Sequence, residues 1–255
     1  MTSFGRCGWW STSVVKWHRS PTVNFATRLS MRCTPSIAVS SGALGTWLQR
    51  RTKRNNGYVP ITKGHEWGEP GWLPSGASIA KSDAEAAAFV EDPAITIGLE
   101  DGDLARTLGI HRRYERDTPK HVVPVDALHV VLDDGSEHRC VAHIVLGNLR
   151  RHRRSVAIMN AAFIGPRNIA PRAHPGDGKA DVVRLNLELG DRLKAWKRMV
   201  TGTHVPHPGI EIRQRREGVV ELERPQRVHI DGQLVGRASS VRFHVIPAAI
   251  LIAVS

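Results

Sequence analysis

The hydrophobic positions of this chain fall into many short runs, and after about His121 most of them alternate with polar residues. A period of two is typical of β-strands with one buried face. The predicted strands are 122–125, 128–132, 138–145, 155–160, 182–187, 211–215, 219–223, 227–230, 241–245 and 249–254. Because Gly, Pro and Asp turns separate them, residues 113–255 are predicted to form a mainly β, sandwich-like domain.

One helix is predicted to interrupt these strands, from Leu189 to about Val200. Leu193, Trp196 and Val200 fall on one stripe of that helix, while the lysines and arginines lie mostly off it. A stripe of this kind is typical of an amphipathic helix.

Residues 59–112 have a mixed pattern. Ser82 and Glu85 have the spacing of a capping box, in which the Ser82 hydroxyl accepts from the Glu85 amide and Glu85 returns a bond. A helix after this box, a buried strand at 94–97 and a second helix at 103–108 predict a small α/β segment.

Residues 1–58 differ from the rest in charge, because they hold nine Lys or Arg and no Asp or Glu, while the remainder holds 27 basic and 24 acidic residues. Three interpretations compete: a transit-like leader, a basic nucleic-acid-binding arm, or an extension from a misplaced start. No helical or strand period is visible, so we expect this segment to be disordered. Because most of the net charge of +12 lies in residues 1–58, this charge is weak evidence for nucleic-acid binding by the rest of the chain.

Two other properties narrow the class of protein. The longest apolar run, 245–254, is too short for a transmembrane helix and contains Pro247, so it is predicted to be a buried final strand. The three cysteines are widely spaced, which favours reduced thiols in a cytoplasmic protein over a disulfide framework.

Four motifs follow one another in the order and spacing of a known family. They are Gly-Leu-Glu-Asp-Gly-Asp-Leu-Ala-Arg-Thr-Leu-Gly-Ile at 98–110, Pro-Arg-Ala-His-Pro-Gly-Asp-Gly-Lys-Ala-Asp-Val at 171–182, Gly-Thr-His-Val-Pro-His-Pro at 202–208, and Val-His-Ile-Asp-Gly-Gln at 228–233. Together with the Pro-Ala-Ala-Ile ending at 247–250, they resemble the diacylglycerol and sphingosine lipid kinases over roughly residues 95–255.

The resemblance implies a two-domain kinase whose N-terminal domain binds ATP through a Gly-Gly-Asp-Gly-Thr loop. This chain contains no such sequence, and only about 40 residues separate Ile61 from Asp103. We therefore expect the β-domain preceded by a remnant of the nucleotide-binding domain, without ATP binding of its own. A separate ATP-binding subunit is then an expected partner.

Three residues take catalytic or nucleotide-binding positions by this resemblance. Asp103 matches the last residue of the family's Gly-Thr-Gly-Asn-Asp loop, which leads into the helix at 103–108 near the nucleotide. Gln233 stands where the family has the Glu that takes a proton from the lipid hydroxyl, and an amide cannot serve as that base. Asp231 is an alternative base, although Asp231-Gly232 also has the composition of a type I′ hairpin turn.

A magnesium site is implied at Asp177, with the backbone carbonyls of His174 and Lys179 as further ligands. Hard oxygen donors of this kind suit Mg²⁺. The alternative is an Asp-Gly turn without a metal.

Three further features each carry a binding and a structural interpretation. His204 and His207 can be zinc ligands or structural histidines, and we favour the second because no Cys or Glu has ligand spacing. Trp67 and Trp72 can form a binding platform or cover the edge of the core, and we favour the second interpretation. The run Arg150–Arg154 can bind anionic lipid headgroups or form a solvated hairpin tip.

The leading hypothesis is a lipid-kinase-like protein that is degenerate or needs a partner for phosphoryl transfer. It would be cytoplasmic, with peripheral contact at a membrane. The first alternative is an active ATP-dependent lipid kinase with a rearranged phosphate site around 98–103. The second is a nucleic-acid-binding protein that uses its basic N-terminal arm, and this is the less favoured class.

Overall fold

The computed structural model describes residues 67–90, 95–110 and 119–254. The segment 1–58 and its three interpretations, including its predicted disorder, lie outside the described residues. The predicted boundary between residues 112 and 113 also falls in an undescribed stretch, and it stays a prediction.

The described residues form thirteen strands and three helices. The strands are β1 (Glu69–Gly71), β2 (Ile79–Ala80), β3 (Thr96–Leu99), β4 (Lys120–Leu132), β5 (Glu137–Cys140), β6 (His143–Leu146), β7 (Arg154–Met159), β8 (Phe163–Ile164), β9 (Arg167–Asn168), β10 (Ala180–Asn186), β11 (Ile210–Arg215), β12 (Glu217–Ile230) and β13 (Gln233–Val254). The helices are α1 (Asp83–Ala87), α2 (Asp103–Thr107) and α3 (Leu189–Arg198). The prediction of a mainly β fold with one helix inserted among its strands is confirmed.

Eleven strands share one sheet, whose main path runs β1-β4-β13-β12-β6-β7-β10-β11, with β5 paired to β4. All of these pairs are antiparallel, whereas β3 joins β13, and β2 joins β3, in parallel. Adjacent residues of β10 bury opposite faces of the sheet, because Val182 and Val183 belong to different apolar clusters. Covering both faces in this way is what a sandwich-like domain requires.

Three strands are longer than the sequence pattern predicts, since β4, β12 and β13 each join two predicted strands. The joint in β13 is an irregularity in its register with β4 between Ile246 and Ile250. Ala248 there has a φ of 49°, and its amide donates to the Asp126 carboxylate at 2.8 Å. A buried acceptor on the neighbouring strand therefore lets the strand continue past Pro247.

The single strand predicted over 138–145 is wrong, because β5 and β6 are separated at Val141 and Ala142. Both amides donate to Asp231, which follows β12, rather than to a neighbouring strand. A distant carboxylate has thus replaced ladder hydrogen bonds at this point.

The α/β segment is present as two five-residue helices and the parallel strands β2 and β3. The Ser82 hydroxyl accepts from the Glu85 amide at 3.2 Å, as predicted. The Glu85 carboxylate, however, accepts from the amide of Lys81 at 2.8 Å, where the capping box predicts Ser82. No helix in the described part of the chain is long and apolar enough to cross a membrane.

The apolar stripe of α3 is not the surface that meets the core. Ala195 and Met199, the residue directly after the helix, are buried on the core side, where they join the cluster around Ile169 and Leu185. The predicted stripe instead has Leu193 at 47% exposure and Val200 at 52%. The periodicity located an apolar surface on this helix, but the core uses the surface next to it.

Candidate functional site

Asp231 lies in the turn between β12 and β13, where it and Gly232 have φ values of 48° and 81°. Positive φ at both positions is the geometry of the predicted type I′ hairpin. The Asp231 side chain is buried, and it accepts bonds from the amides of Val141 at 2.9 Å, Ala142 at 2.9 Å and His143 at 3.0 Å. The thiol of Cys140 donates to the same carboxylate at 3.2 Å. With four donors, this carboxylate stabilises the break between β5 and β6 and is poorly available to an external hydroxyl.

Gln233 begins β13 two residues further on, and its side chain is exposed. The structure therefore separates the two residues of the hairpin: the carboxylate points into the protein and the amide lies at the surface. An exposed amide can offer a hydrogen bond to a hydroxyl but does not remove its proton.

Asp103 is the first residue of α2 and lies beside His143 of β6. Its Oδ1 accepts from the amide of Gly165 at 2.7 Å, and its Oδ2 is 3.5 Å from His143 Nδ1. Burial raises the pKa of Asp103. Burial also lowers the pKa of His143, although the nearby charges of Asp231 and Asp103 act to raise it. We therefore treat His143 as neutral at pH 7, so that this contact is not an ion pair even though the two side chains are adjacent.

Asp83, in the first turn of α1, completes this group. Its carboxylate accepts from the amides of Asp103 at 2.7 Å and Leu104 at 3.2 Å. Gly102 has a φ of 126°, and a Cβ there would collide with this carboxylate. Burial, followed by the charge of Asp231, raises the pKa of Asp83 to about 7. We call Asp83, Asp103, His143 and Asp231 the buried cluster.

Asp177 lies in a separate turn that precedes β10. Its Oδ1 accepts from the amide of Lys179 at 3.0 Å, and its own amide donates to the His174 carbonyl at 3.3 Å. The His174 ring packs edge-on against Trp67 with 4.5 Å between centroids, and burial lowers its pKa. Burial also raises the pKa of Asp177. The structure thus brings the three residues predicted for magnesium into one turn.

Two aspartates that the sequence analysis did not single out adjoin this turn. Asp126 of β4 accepts from the amides of Gly178 at 2.6 Å and Ala248 at 2.8 Å, so it joins the turn to the irregularity in β13. Burial raises its pKa to about 6. An Asp inside the apolar pattern of residues 122–132 was the available signal for such a buried acceptor.

Asp181 of β10 is 2% exposed, and neither of its carboxylate oxygens has a hydrogen-bond partner within bonding distance. Burial first, and the charge of Asp177 second, raise its pKa to about 6, although the amide of Gln214 on the facing strand is close enough to lower it. Asp181 is thus a buried carboxylate with no donor within hydrogen-bonding distance. It is the group in this region that would gain most from a cation.

Asn160 links the turn to the buried cluster. Its buried side-chain amide donates to the carbonyls of Val141 at 2.7 Å and Asp126 at 2.8 Å. Val141 is a donor to Asp231, and Asp126 holds the turn at Gly178. The two groups of candidate residues are therefore positioned through one shared side chain.

The remaining predicted features are structural or exposed. His204 is buried with its Nε2 3.1 Å from the Ile169 carbonyl, and the described residues contain no group of three or more ligand side chains that could hold a metal. Trp67 donates its indole N–H to the Pro124 carbonyl at 3.1 Å, but Trp72 is 61% exposed, so the core interpretation is correct for Trp67 alone. The run Arg150–Arg154 is exposed throughout.

A cleft of about 240 Å³ lies elsewhere, between β10–β11 and β12–β13. Its lining contains Arg184, Arg213 and Arg215 together with Glu211 and Glu217. None of the predicted site residues lines it, so it does not contribute to the candidate site.

Comparisons with known proteins agree with this fold. Residues 129–254 match the family described as the YegS C-terminal NAD kinase beta sandwich-like domain. No curated protein gives a significant match to the sequence. A solved structure of a proposed diacylglycerol kinase from Bacillus anthracis str. Sterne is similar with a TM-score of 0.52 and 12% identity, covering 69% of this chain and 77% of that chain.

A second structure from the same organism, also described as a diacylglycerol kinase, has a TM-score of 0.47 and 13% identity over 63% of this chain and 70% of that chain. At 12% identity the first structure is evidence of fold only, and the family match adds the sequence evidence for the same β-rich region. Residues 129–254 of this chain therefore form a C-terminal, NAD kinase β-sandwich-like domain of the diacylglycerol kinase-like type.

Proposed function

We propose that this chain is a diacylglycerol kinase-like protein that keeps the lipid-acceptor side of the fold but does not transfer a phosphoryl group by itself. The observation that carries the proposal is Gln233, an exposed amide at the position of the family's catalytic Glu. Without a titratable group at this position, the acceptor hydroxyl keeps its proton and remains a weak nucleophile.

The neighbouring carboxylates do not supply an obvious substitute. Asp231 is occupied by four donors, as described above. Asp103 uses one oxygen for the Gly165 amide, and its other oxygen faces His143. These contacts support a structural role for both aspartates.

The contacts of Asp83 weigh against the alternative of a rearranged phosphate site at residues 98–103. Phosphates are commonly held by free backbone amides at the start of a helix. At α2 the amides of Asp103 and Leu104 already donate to the Asp83 carboxylate. A phosphate would have to displace a buried acid there, so a partner that supplies the ATP-binding part fits this chain better.

The test is a lipid phosphorylation assay of the full chain with Mg-ATP and mixed micelles containing diacylglycerol or sphingosine. We expect no phosphorylated lipid above the protein-free background for the wild type and for the control Gln233→Ala. Gln233→Glu restores the carboxylate, and turnover by this variant alone would identify the amide as the missing function. Robust turnover by the wild-type chain without a partner would overturn the proposal.

Magnesium is the cofactor that the residues around Asp177 fit. Asp177 and the carbonyls of His174 and Lys179 would hold it, and Asp181 offers a buried carboxylate without a donor. A divalent cation would compensate the mutual repulsion of Asp177 and Asp181, which raises the pKa of Asp181. Since Mg²⁺ keeps several waters, a site with few side-chain ligands is adequate.

Magnesium is expected to stabilise the protein through this turn. At free Mg²⁺ about tenfold above the dissociation constant, the free energy of unfolding should rise by roughly 1.4 kcal/mol. Thermal unfolding in MgCl₂ against NaCl of equal ionic strength measures this. Asp177→Asn and Asp181→Asn should each remove the response, while the exposed Asp191→Asn should keep it. A melting temperature of the wild type that does not respond to Mg²⁺ excludes the site.

A further inference from the structure

The outer surface of α3 carries an apolar stripe that the fold leaves in contact with solvent. Leu189 is 63% exposed, Leu193 47% and Val200, just beyond the helix, 52%. They are three of the six large hydrophobic side chains that are exposed among the described residues. Scattered exposed hydrophobics are ordinary, but a contiguous set on one element marks an interaction surface.

The stripe is a regular helical face. At about 100° per residue, Leu189, Leu193, Trp196 and Val200 fall within an arc of roughly 60°. Ala195 and Met199, which are buried, lie on the next arc. Trp196 is the member of the stripe nearest to the buried arc and is half-buried, and its ring is covered by the Arg167 guanidinium at 4.0 Å. The helix therefore has two apolar surfaces, one for the core and one directed outwards.

Basic groups lie on the exposed side of the outward stripe and at the start of the helix. Lys197 is exposed and borders it, and Lys194 and Arg198 are exposed on the remaining surface of α3. The turn that carries Arg150 and Arg151 lies at the start of the helix, because the amide of Leu187 donates to the Arg153 carbonyl at 3.1 Å.

The acidic groups at this end of the helix are paired with basic ones. Glu188 is 2.7 Å from Arg153, and Asp191 is 3.6 Å from Lys194. An apolar stripe within a basic surrounding is the pattern of helices that lie in the interface of anionic membranes.

Charge complementarity selects the occupant of the stripe. A second copy of the chain would bring the same basic groups against themselves, and residues 1–58 carry nine basic and no acidic residues. Both would be repelled by the surroundings of the stripe. A nucleic acid would satisfy the charges but would leave the leucines without an apolar partner.

We propose that α3 and the adjoining turn at Arg150 dock onto an anionic lipid bilayer, with Leu189, Leu193 and Val200 inserted among the lipids and the lysines and arginines at the headgroups. The inference deepens the proposed function, on which it rests for the expectation that the protein works at a lipid surface.

Vesicle flotation of the full chain tests the docking. Phosphatidylcholine vesicles with about 30% phosphatidylglycerol should bind the wild type, and pure phosphatidylcholine vesicles should bind it much less. Residues 1–58 add electrostatic attraction to any anionic surface, so the assay is repeated at roughly 0.5 M salt, where charge attraction is screened and apolar insertion is retained.

The decisive comparison uses Leu189→Ser/Leu193→Ser, which should lower the partition coefficient at raised salt by at least about tenfold. Val219→Ser is the matched control, since Val219 is 48% exposed on β12, and it should bind like the wild type. All variants change exposed side chains, so equal urea midpoints verify that each is folded.

Two results would overturn the inference: equal binding by the double serine variant and the wild type, or a dimer in vesicle-free solution that the double variant disperses. Vesicles without diacylglycerol and buffers without ATP keep the readout separate from phosphorylation. An active kinase would thus contradict the proposed function while leaving this inference standing.

Discussion

Replacing Asp231 with alanine is expected to lower the free energy of unfolding by about 3–6 kcal/mol, the largest effect of any single substitution considered for this chain. The variant leaves the buried amides of Val141, Ala142 and His143 without an acceptor, and each unsatisfied buried donor costs about 1–3 kcal/mol. Urea unfolding followed by far-ultraviolet circular dichroism measures the loss as a shift in midpoint.

The matched control is Gln233→Ala in the same hairpin. Its side chain is exposed, so the free energy of unfolding should change by no more than about 0.5 kcal/mol. Asp231→Asn should fall between the two, because one of its two acceptor oxygens is kept. A loss below about 1 kcal/mol for Asp231→Ala would mean that the carboxylate is not needed by the fold, which would reopen its interpretation as a base.

Asp83 is expected to make the protein less stable at pH 8 than at pH 5. Its pKa is about 7 when folded, against 3.8 as the ordinary value, so the folded state binds more protons than the unfolded state between these values. The stabilisation is complete below about pH 4 and is lost as the pH rises through about 7. At about 1.4 kcal/mol per pH unit the full loss is on the order of 4 kcal/mol.

Asp83→Asn isolates this contribution, because the amide cannot ionise. The difference in the free energy of unfolding between pH 5 and pH 8 should shrink by about 2–3 kcal/mol in the variant. Asp126 and Asp181, whose pKa values are about 6, act in the same direction in both proteins. The lowered pKa of His143 acts in the opposite direction, since a histidine that is neutral when folded adds stability as the pH rises towards its ordinary value. An unchanged slope in Asp83→Asn would show that another group carries the pH dependence.

The two predictions concern the same buried cluster, and together they separate its structural from its chemical role. Asp231 holds the break between β5 and β6, whereas Asp83 holds the start of α2 and repels Asp231. The carboxylates of the buried cluster repel one another, and their oxygens are already occupied by backbone amides. They therefore hold the hairpin of Gln233 in place but do not offer a free base. This is the physical basis for expecting no phosphoryl transfer by the chain alone.

The local parts of this fold were predictable because they depend on neighbouring residues. A serine three residues before the Glu85 amide reaches that amide whenever a helix begins there. The Asp231-Gly232 pair likewise tolerates the positive φ values of a type I′ turn. The alternation of residues 120–254 likewise predicts strands, and four ordered motifs predict the family. Each of these features depends on a few residues that are close together in the sequence.

The arrangement of the acidic side chains was decided by the tertiary structure. Asp231 reaches amides about 90 residues away, and Asp126 reaches Ala248 and Gly178. The contact of Asp126 with Ala248 lies where two predicted strands join to form β13, and the contacts of Asp231 lie where one predicted strand is divided into β5 and β6. The reason is that a buried donor must be satisfied by whichever acceptor the fold brings near. The apolar neighbours of Asp126 indicate a buried acceptor but do not show which amides it binds, and the neighbours of Asp83 give no such signal.

The sequence by itself determined that this chain builds a mainly β, lipid-kinase-like domain with one inserted helix, and it predicted an amide at the position of the family's base. Only the tertiary structure decided which carboxylates meet in the buried cluster and which face of α3 meets the core. The physical reason is that periodicity fixes the angle between side chains on one element. The direction of that element, however, is set by packing against partners that are distant in sequence.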